Sequence, residues 1–207
     1  MSVEDWIQPE YITNDAKEEL LEKFSKNSPF KHIQITDFFI PEKLEIVLAA
    51  LGEEHFFEKE SDLFKFMQTQ DLAHTKNTVL QEFIQFLYST EFIQFMEDIT
   101  KFNLNKKEVD IAGTLYQDTD FLLCHDDELE GRKIAFLVYL STQTEEDGGS
   151  LKLYSHKDGK PHAVEKKLYP KINSFTFFEV SETSFHEVEE IYTDTQRIAI
   201  GGWYHSN

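Results

Sequence analysis

The sequence predicts an α+β fold in which N-terminal helices pack on an antiparallel sandwich or barrel. Helix-spaced apolar residues dominate before about residue 105, and short β-prone runs separated by turn signals dominate after it. A length of 207 residues suits one compact unit, so residues 1–207 are expected to form a single domain. Its helical part would span about 1–105 and its β core about 106–207.

Taken in order, Thr13 and Asn14 are cap-type residues followed by Leu20, Leu21 and Phe24 at helical spacing, which predicts an amphipathic helix over 13–27. Residues 30–39 read as a strand. Pro41 takes the first-turn position that proline tolerates, and Leu44, Val47, Leu48 and Leu51 form an apolar stripe that ends at Gly52. Residues 77–101 carry Val79, Leu80, Phe83, Phe86 and Leu87, then Phe92, Phe95, Met96 and Ile99, a pattern of two helices broken near Ser89. Beyond residue 107 the β-prone runs are 111–116, 121–125, 134–140, 151–154, 175–180 and 198–203, with turns at Asp147-Gly148-Gly149 and Asp158-Gly159.

Composition narrows the functional classes. With 39 acidic and 20 basic residues the formal charge is −19, which disfavours direct binding to nucleic acid or anionic membrane and favours a basic partner. A single cysteine, Cys124, cannot form an internal disulfide. The first residues lack a basic segment with an apolar core, and no apolar run approaches a membrane span, so a cytoplasmic or nuclear protein is expected.

The informative tract is His125-Asp126-Asp127, where His125 and Asp127 stand two apart at a strand end and would share a face by alternation. On that reading Phe121 or Leu123 would line the site with His125, while Cys124 points away. Downstream, Ser184-Phe185-His186 supplies a second imidazole after the 175–180 run. Two histidines and one carboxylate on neighbouring strands can occupy one face of an octahedral ion and leave three positions open, as in non-haem Fe(II) oxygenases. A lone HxD pair also describes a solvated loop or a helix cap. Arg197, eleven residues after His186 and at the head of Ile198-Ala199-Ile200, shifts the balance. A buried cation there needs an anion, either an acidic side chain or the far carboxylate of 2-oxoglutarate. Asp126, Asp127, Glu128 and Glu130 would steer a basic substrate or simply form a solvated loop. His32, His55, His74, His156, His162 and His205 have no partner at metal-like spacing and read as surface or core residues.

The spacing of HxD, distal His and then Arg resembles the Fe(II)/2-oxoglutarate-dependent oxygenases. Within that class, the tract from Leu123 to Phe136, Phe177-Phe178-Glu179-Val180-Ser181, Ser184-Phe185-His186 and Gly202-Trp203 resemble the ribosomal prolyl hydroxylases, the family of the yeast termination and polyadenylation protein and its human counterpart. The likeness is dense from about Tyr116 to His205 and looser before it. It implies a double-stranded β-helix (jelly-roll) core flanked by N-terminal helices, iron held by His125, Asp127 and His186, and the cosubstrate's distal carboxylate on Arg197. Tyr139 and Tyr116 match tyrosines that hydrogen-bond 2-oxoglutarate, although by pattern alone each also reads as core. The implied cosubstrates are 2-oxoglutarate and O2, with ascorbate as a further cofactor, and the implied partner is a basic small-subunit ribosomal protein. Another protein substrate, such as an elongation or transcription factor, a non-catalytic β-helix binding module and a cupin-type metal enzyme are the alternatives. Family members carry a second, degenerate β-helix domain, so a sequence ending at Asn207 reads as a short homologue or a trimmed catalytic domain.

Overall fold

The computed structural model describes residues 2–105, 108, 110–129 and 131–206. Among them are four α-helices, α1 (Asn14–Lys26), α2 (Pro41–Leu51), α3 (Thr78–Leu87) and α4 (Thr90–Thr100). Their starts are chemically marked. The Thr13 hydroxyl accepts from the Ala16 amide, the Asn77 carbonyl oxygen from Val79 and Leu80, and the Ser89 hydroxyl from Phe92. Ser89 thus both ends the α3 pattern and caps α4, a contribution of about 1 kcal/mol. No helix of the described residues is long and apolar enough to cross a membrane.

The strands are β1 (His32–Ile35), β2 (Phe56–Ser61), β3 (Phe64–Thr69), β4 (Asp110–Tyr116), β5 (Phe121–His125), β6 (Arg132–Tyr139), β7 (Leu151–Lys157), β8 (Lys160–Leu168), β9 (Ser174–Glu179), β10 (His186–Val188) and β11 (Arg197–His205). They form one continuous path, β1-β9-β6-β11-β4-β3-β5-β10-β7-β8, with β2 paired to β3. The main layer is β1-β9-β6-β11-β4 and the second is β5-β10-β7-β8. From β4 onward the chain passes between layers in the double-wound order of a jelly roll, as expected.

Helices and strands do not divide at residue 105. The β2–β3 hairpin belongs to the N-terminal part, yet it joins the two layers. One end of β3 pairs Met67 and Gln68 with Leu115 and Thr114 of β4, and the other pairs Phe64 and Lys65 with Leu122 and Phe121 of β5. The strand expected over 30–39 is shorter, and Phe39 makes only an isolated bridge to Ile7. Neither β2 nor β8 was anticipated, because almost every residue of each is exposed and no alternation marks a buried face.

Alternation along β9 and β11 sorts side chains between two interiors. Phe175, Phe177, Ile198, Ile200 and Tyr204 face the helices, where they meet Phe24, Phe38, Phe39, Phe92 and Phe95. Phe175 alone packs against the rings of Phe38, Phe39, Phe92, Phe136 and Phe177, so truncating it to Ala would cost about 3–5 kcal/mol. At Gly113 a Cβ would lie 2.6 Å from Leu51 Cδ1, so this glycine lets α2 seat closely on β4. Phe178, Arg197 and Trp203 face the other way, into the barrel.

Candidate active site

Inside the barrel, Leu151, Leu153, Leu168 and Phe178 pack one region, and Tyr116, Val188 and Ile191 pack another with Phe66 and Leu122. Between them lies a cavity of about 290 Å³ whose lining includes His125, Asp127, His186, Tyr116 and Arg197. The sequence-predicted residues therefore converge. Tyr139 stands behind Arg197 rather than on the cavity wall.

His125 and His186 face each other across the β5–β10 pairing, with ring centroids 4.2 Å apart. One Nδ1–H donates to the Leu123 carbonyl at 2.8 Å and the other to the Ser184 carbonyl at 2.9 Å. These bonds fix the tautomer that leaves each Nε2 lone pair free for a metal. Asp127 lies between them, Oδ1 at 3.2 Å from His125 Nε2 and Oδ2 at 3.4 Å from His186 Nε2. One ligand atom from each residue lies within 4.8 Å of the others, so the three could hold one ion.

The route to this geometry differs from simple alternation. Asp127 lies beyond the end of β5 at φ 60°, a left-handed conformation that Asp adopts more readily than most residues, and this turn carries its carboxylate back to the histidines. A register shift between β5 and β10, with the four residues from Leu122 to His125 opposite the three from His186 to Val188, also reverses the strand's parity. As a result Leu122 lines the cavity, not Phe121 or Leu123, and Leu123 is 44% exposed.

Electrostatics follow from burial and pairing. Burial disfavours the charged form of both partners, but the Asp127–histidine contacts outweigh it: Asp127 is held well below the usual carboxylate range and His125 is raised above the ordinary imidazole value. Arg197 is 1% exposed and has no carboxylate within ion-pair distance among the described residues. Its Nε donates to the Gly149 carbonyl at 2.9 Å and its Nη2 to the Tyr139 hydroxyl at 3.1 Å. The rings of Tyr116 and Tyr139 lie 5.0 and 5.1 Å from the guanidinium carbon. Burial pushes both phenols up although the arginine opposes it, so both stay protonated donors at neutral pH. A buried cation flanked by hydroxyl donors, without an internal anion, is a place for a carboxylate.

Residues 111–205 match a family model described as the 2OG-Fe(II) oxygenase superfamily. The match runs through the barrel from Ile111 of β4 to His205 of β11. The chain is 41% identical over 181 residues to Prolyl 3-hydroxylase OGFOD1 of Xenopus laevis, covering 86% of this chain and 35% of the relative. To the Mus musculus protein of the same name it is 37% identical, with 86% and 33% covered. It thus spans about a third of the length of these curated relatives. A solved prolyl hydroxylase from Trichoplax adhaerens, in complex with a hypoxia inducible factor peptide fragment, superposes with a TM-score of 0.71 at 15% identity, covering 93% of this chain and 90% of that one. That likeness concerns the fold.

The cavity residues suit the two groups that the family's description names. Two imidazole nitrogens and a carboxylate form a donor set for Fe(II), and the free donors at Arg197 and Tyr116 suit one end of 2-oxoglutarate.

Several site residues were not singled out from the sequence. Trp203 donates through its indole N–H to Asp127 Oδ2 at 3.1 Å, and Arg132 stacks on its ring. Phe66 stacks on Tyr116 at 4.9 Å, and Gly149 orients Arg197. A signal for Trp203 existed: it lies six residues after Arg197 on the same strand face. Nothing local announces Phe66, whose strand comes from the N-terminal part.

Asp126 is committed to the loop, its Oδ1 accepting from the Glu128 amide at 3.1 Å, while Glu128 is exposed and Glu130 lies outside the described residues. His55, His74, His156 and His162 are exposed, and His32 is buried beside Phe30. His205 lies 3.2 Å from a Glu108 oxygen. Burial pushes the Cys124 thiol up to about 11, consistent with a passive role.

Proposed function

We propose that this chain is a 2-oxoglutarate-dependent prolyl hydroxylase acting on a protein, with His125, Asp127 and His186 as iron ligands and Arg197, Tyr139 and Tyr116 as the cosubstrate's binding residues. The observation that carries it is the fully buried Arg197, which has no carboxylate partner among the described residues and shares a cavity with a His-Asp-His triad. When bound, Fe(II) and 2-oxoglutarate would let O2 act as the oxidant of a C–H bond, one oxygen atom going to the hydroxyl and the other to succinate as the cosubstrate loses CO2. Ascorbate would serve to keep the iron reduced.

The chain's own residues do the positioning. His125 and His186 present Nε2 because backbone carbonyls occupy their Nδ1–H groups. Arg197, braced by Gly149 and Tyr139, pairs with the distal carboxylate of 2-oxoglutarate, and Tyr116, its cross-strand neighbour on β4, donates beside it. Leu122, Leu151, Phe178 and Val188 line the cavity and exclude water from the reacting groups.

Proline as the target follows from the relatives' names, and a basic protein partner from the charge of −19. A small-subunit ribosomal protein, met in the cytoplasm or nucleus, fits both and follows the family resemblance. The test incubates the chain with Fe(II), 2-oxoglutarate, O2 and proline-containing ribosomal peptides. One oxygen of added mass on a proline, with matching succinate, is the expected result. Succinate without added mass on any such peptide would discard this substrate, and no succinate would contradict the oxygenase activity.

A further inference from the structure

Among the described residues three side chains approach the Asp127 carboxylate within 3.4 Å, and only one of them cannot become a metal ligand. His125 and His186 approach through Nε2, the atoms that would turn to an ion. Trp203 approaches Oδ2 through an indole N–H, which is a donor only. Around Trp203 the sheet is specially built. The β11–β6 pairing runs Trp203–Ala135 and Tyr204–Ile134, then shifts to His205–Arg132, so one residue of β6 is skipped. Lys133 consequently faces outward, 4.3 Å over the Phe102 ring and 2.9 Å from Glu179, and Arg132 swings to the face of Trp203. Its guanidinium carbon lies 3.5 Å from the indole ring centroid, and its Nη2 pairs with Asp110 at 3.0 Å. Re-aiming one side chain is what a bulge beside a site accomplishes.

We propose that Trp203 is a positioning residue that keeps Asp127 a one-oxygen metal ligand, and that Arg132 holds the indole in place for it. This rests on the assignment of His125, Asp127 and His186 as ligands. Two imidazoles and one carboxylate oxygen leave three of six octahedral positions open. A carboxylate turned to offer both oxygens would leave two, which the chelating cosubstrate alone would fill. Once both imidazoles commit their Nε2 lone pairs to an ion, neither can bond Asp127 through that atom. The Trp203 N–H has no such alternative and stays on Oδ2, so Oδ1 is the oxygen left for the metal. The cation above the indole face is attracted to the ring and fixes its orientation.

The test is Mn(II) binding to the metal-free chain, read from the paramagnetic signal of free Mn(II), together with the visible spectrum of the Co(II) form. Trp203→Phe keeps the ring but removes the N–H. It should weaken Mn(II) binding roughly 10–100-fold, the usual effect of losing a partner that orients a ligand, and alter the Co(II) spectrum. Arg132→Leu should weaken binding roughly two- to fivefold. A benzothienylalanine at position 203 keeps the indole's shape and replaces N–H with sulfur, so it covers the case in which the Phe variant folds poorly; it should behave as Trp203→Phe does. Wild-type affinity and an unchanged Co(II) spectrum in the benzothienyl variant would overturn the proposal, as would a lowered unfolding midpoint with Mn(II) affinity intact. A wild-type chain that fails to bind Mn(II) would instead overturn the ligand assignment beneath it.

Discussion

Arg197 donates through Nη2 to the hydroxyl of Tyr139, 3.1 Å away, and both side chains are enclosed by the barrel. Removing that hydroxyl leaves part of a buried guanidinium without a partner, at a cost of about 1–3 kcal/mol. Tyr139→Phe is expected to raise the dissociation constant for 2-oxoglutarate roughly tenfold, measured by anaerobic titration, with metal affinity unchanged.

Phe66 reaches the same site from the β2–β3 hairpin, stacked on Tyr116 with ring planes 17° apart. Such a pair contributes about 0.5–1.5 kcal/mol beyond burial. Phe66→Ala should therefore raise the KM for 2-oxoglutarate several-fold while kcat changes less. Equal loss of both would argue that the hairpin does not organise the cosubstrate pocket.

How far the sequence reaches becomes clear at these residues. Arg197 and Trp203 were readable as one strand face because β11 alternates without interruption through both, and the helices were readable because Thr13, Asn77 and Ser89 mark their starts. Phe66 was not, since β3 is only half-buried along most of its length and its role arises from pairing with two distant strands. Leu122 and Arg132 were hidden for another reason: one-residue register shifts reverse the parity that a period-2 reading assumes. The HxD pair was found through its spacing, although the positive φ of Asp127, not strand alternation, brings its carboxylate to the histidines.

Gly149 adopts φ +70°, and a Cβ there would lie 2.4 Å from Ile191 Cδ1 and 3.3 Å from Arg197 Cδ. Both backbone and packing oppose a side chain. Gly149→Ala should destabilise the fold by about 1–3 kcal/mol and weaken 2-oxoglutarate binding by displacing Arg197. Urea unfolding and cosubstrate titration check the two effects separately.

Glu189 is 5% exposed, and although burial opposes its charge, hydrogen bonds and ion pairs from Lys167, Ser150 and Lys152 bring its carboxyl down to about 2. Because the folded value lies below the unfolded one, the unfolded chain binds the extra proton between them. The stabilisation is present above the ordinary value of 4.5 and is lost as pH falls through 2. It amounts to about 3 kcal/mol at neutral pH. The unfolding free energy of wild type should exceed that of Glu189→Gln near pH 6, with the gap closing towards pH 2. A gap that is constant across that range would contradict the network's role.

The proposed function requires one cavity to bind iron through His125, Asp127 and His186 and 2-oxoglutarate through Arg197. Anaerobic addition of Fe(II) and 2-oxoglutarate to the chain tests it most directly, through the visible metal-to-ligand charge-transfer band of the chelated cosubstrate. The predicted result is a saturable band in the wild type that is absent from His125→Ala and Asp127→Ala and needs more 2-oxoglutarate in Arg197→Ala. A wild-type chain that gives no band at saturating Fe(II) and 2-oxoglutarate, or a band that survives Asp127→Ala, would contradict it.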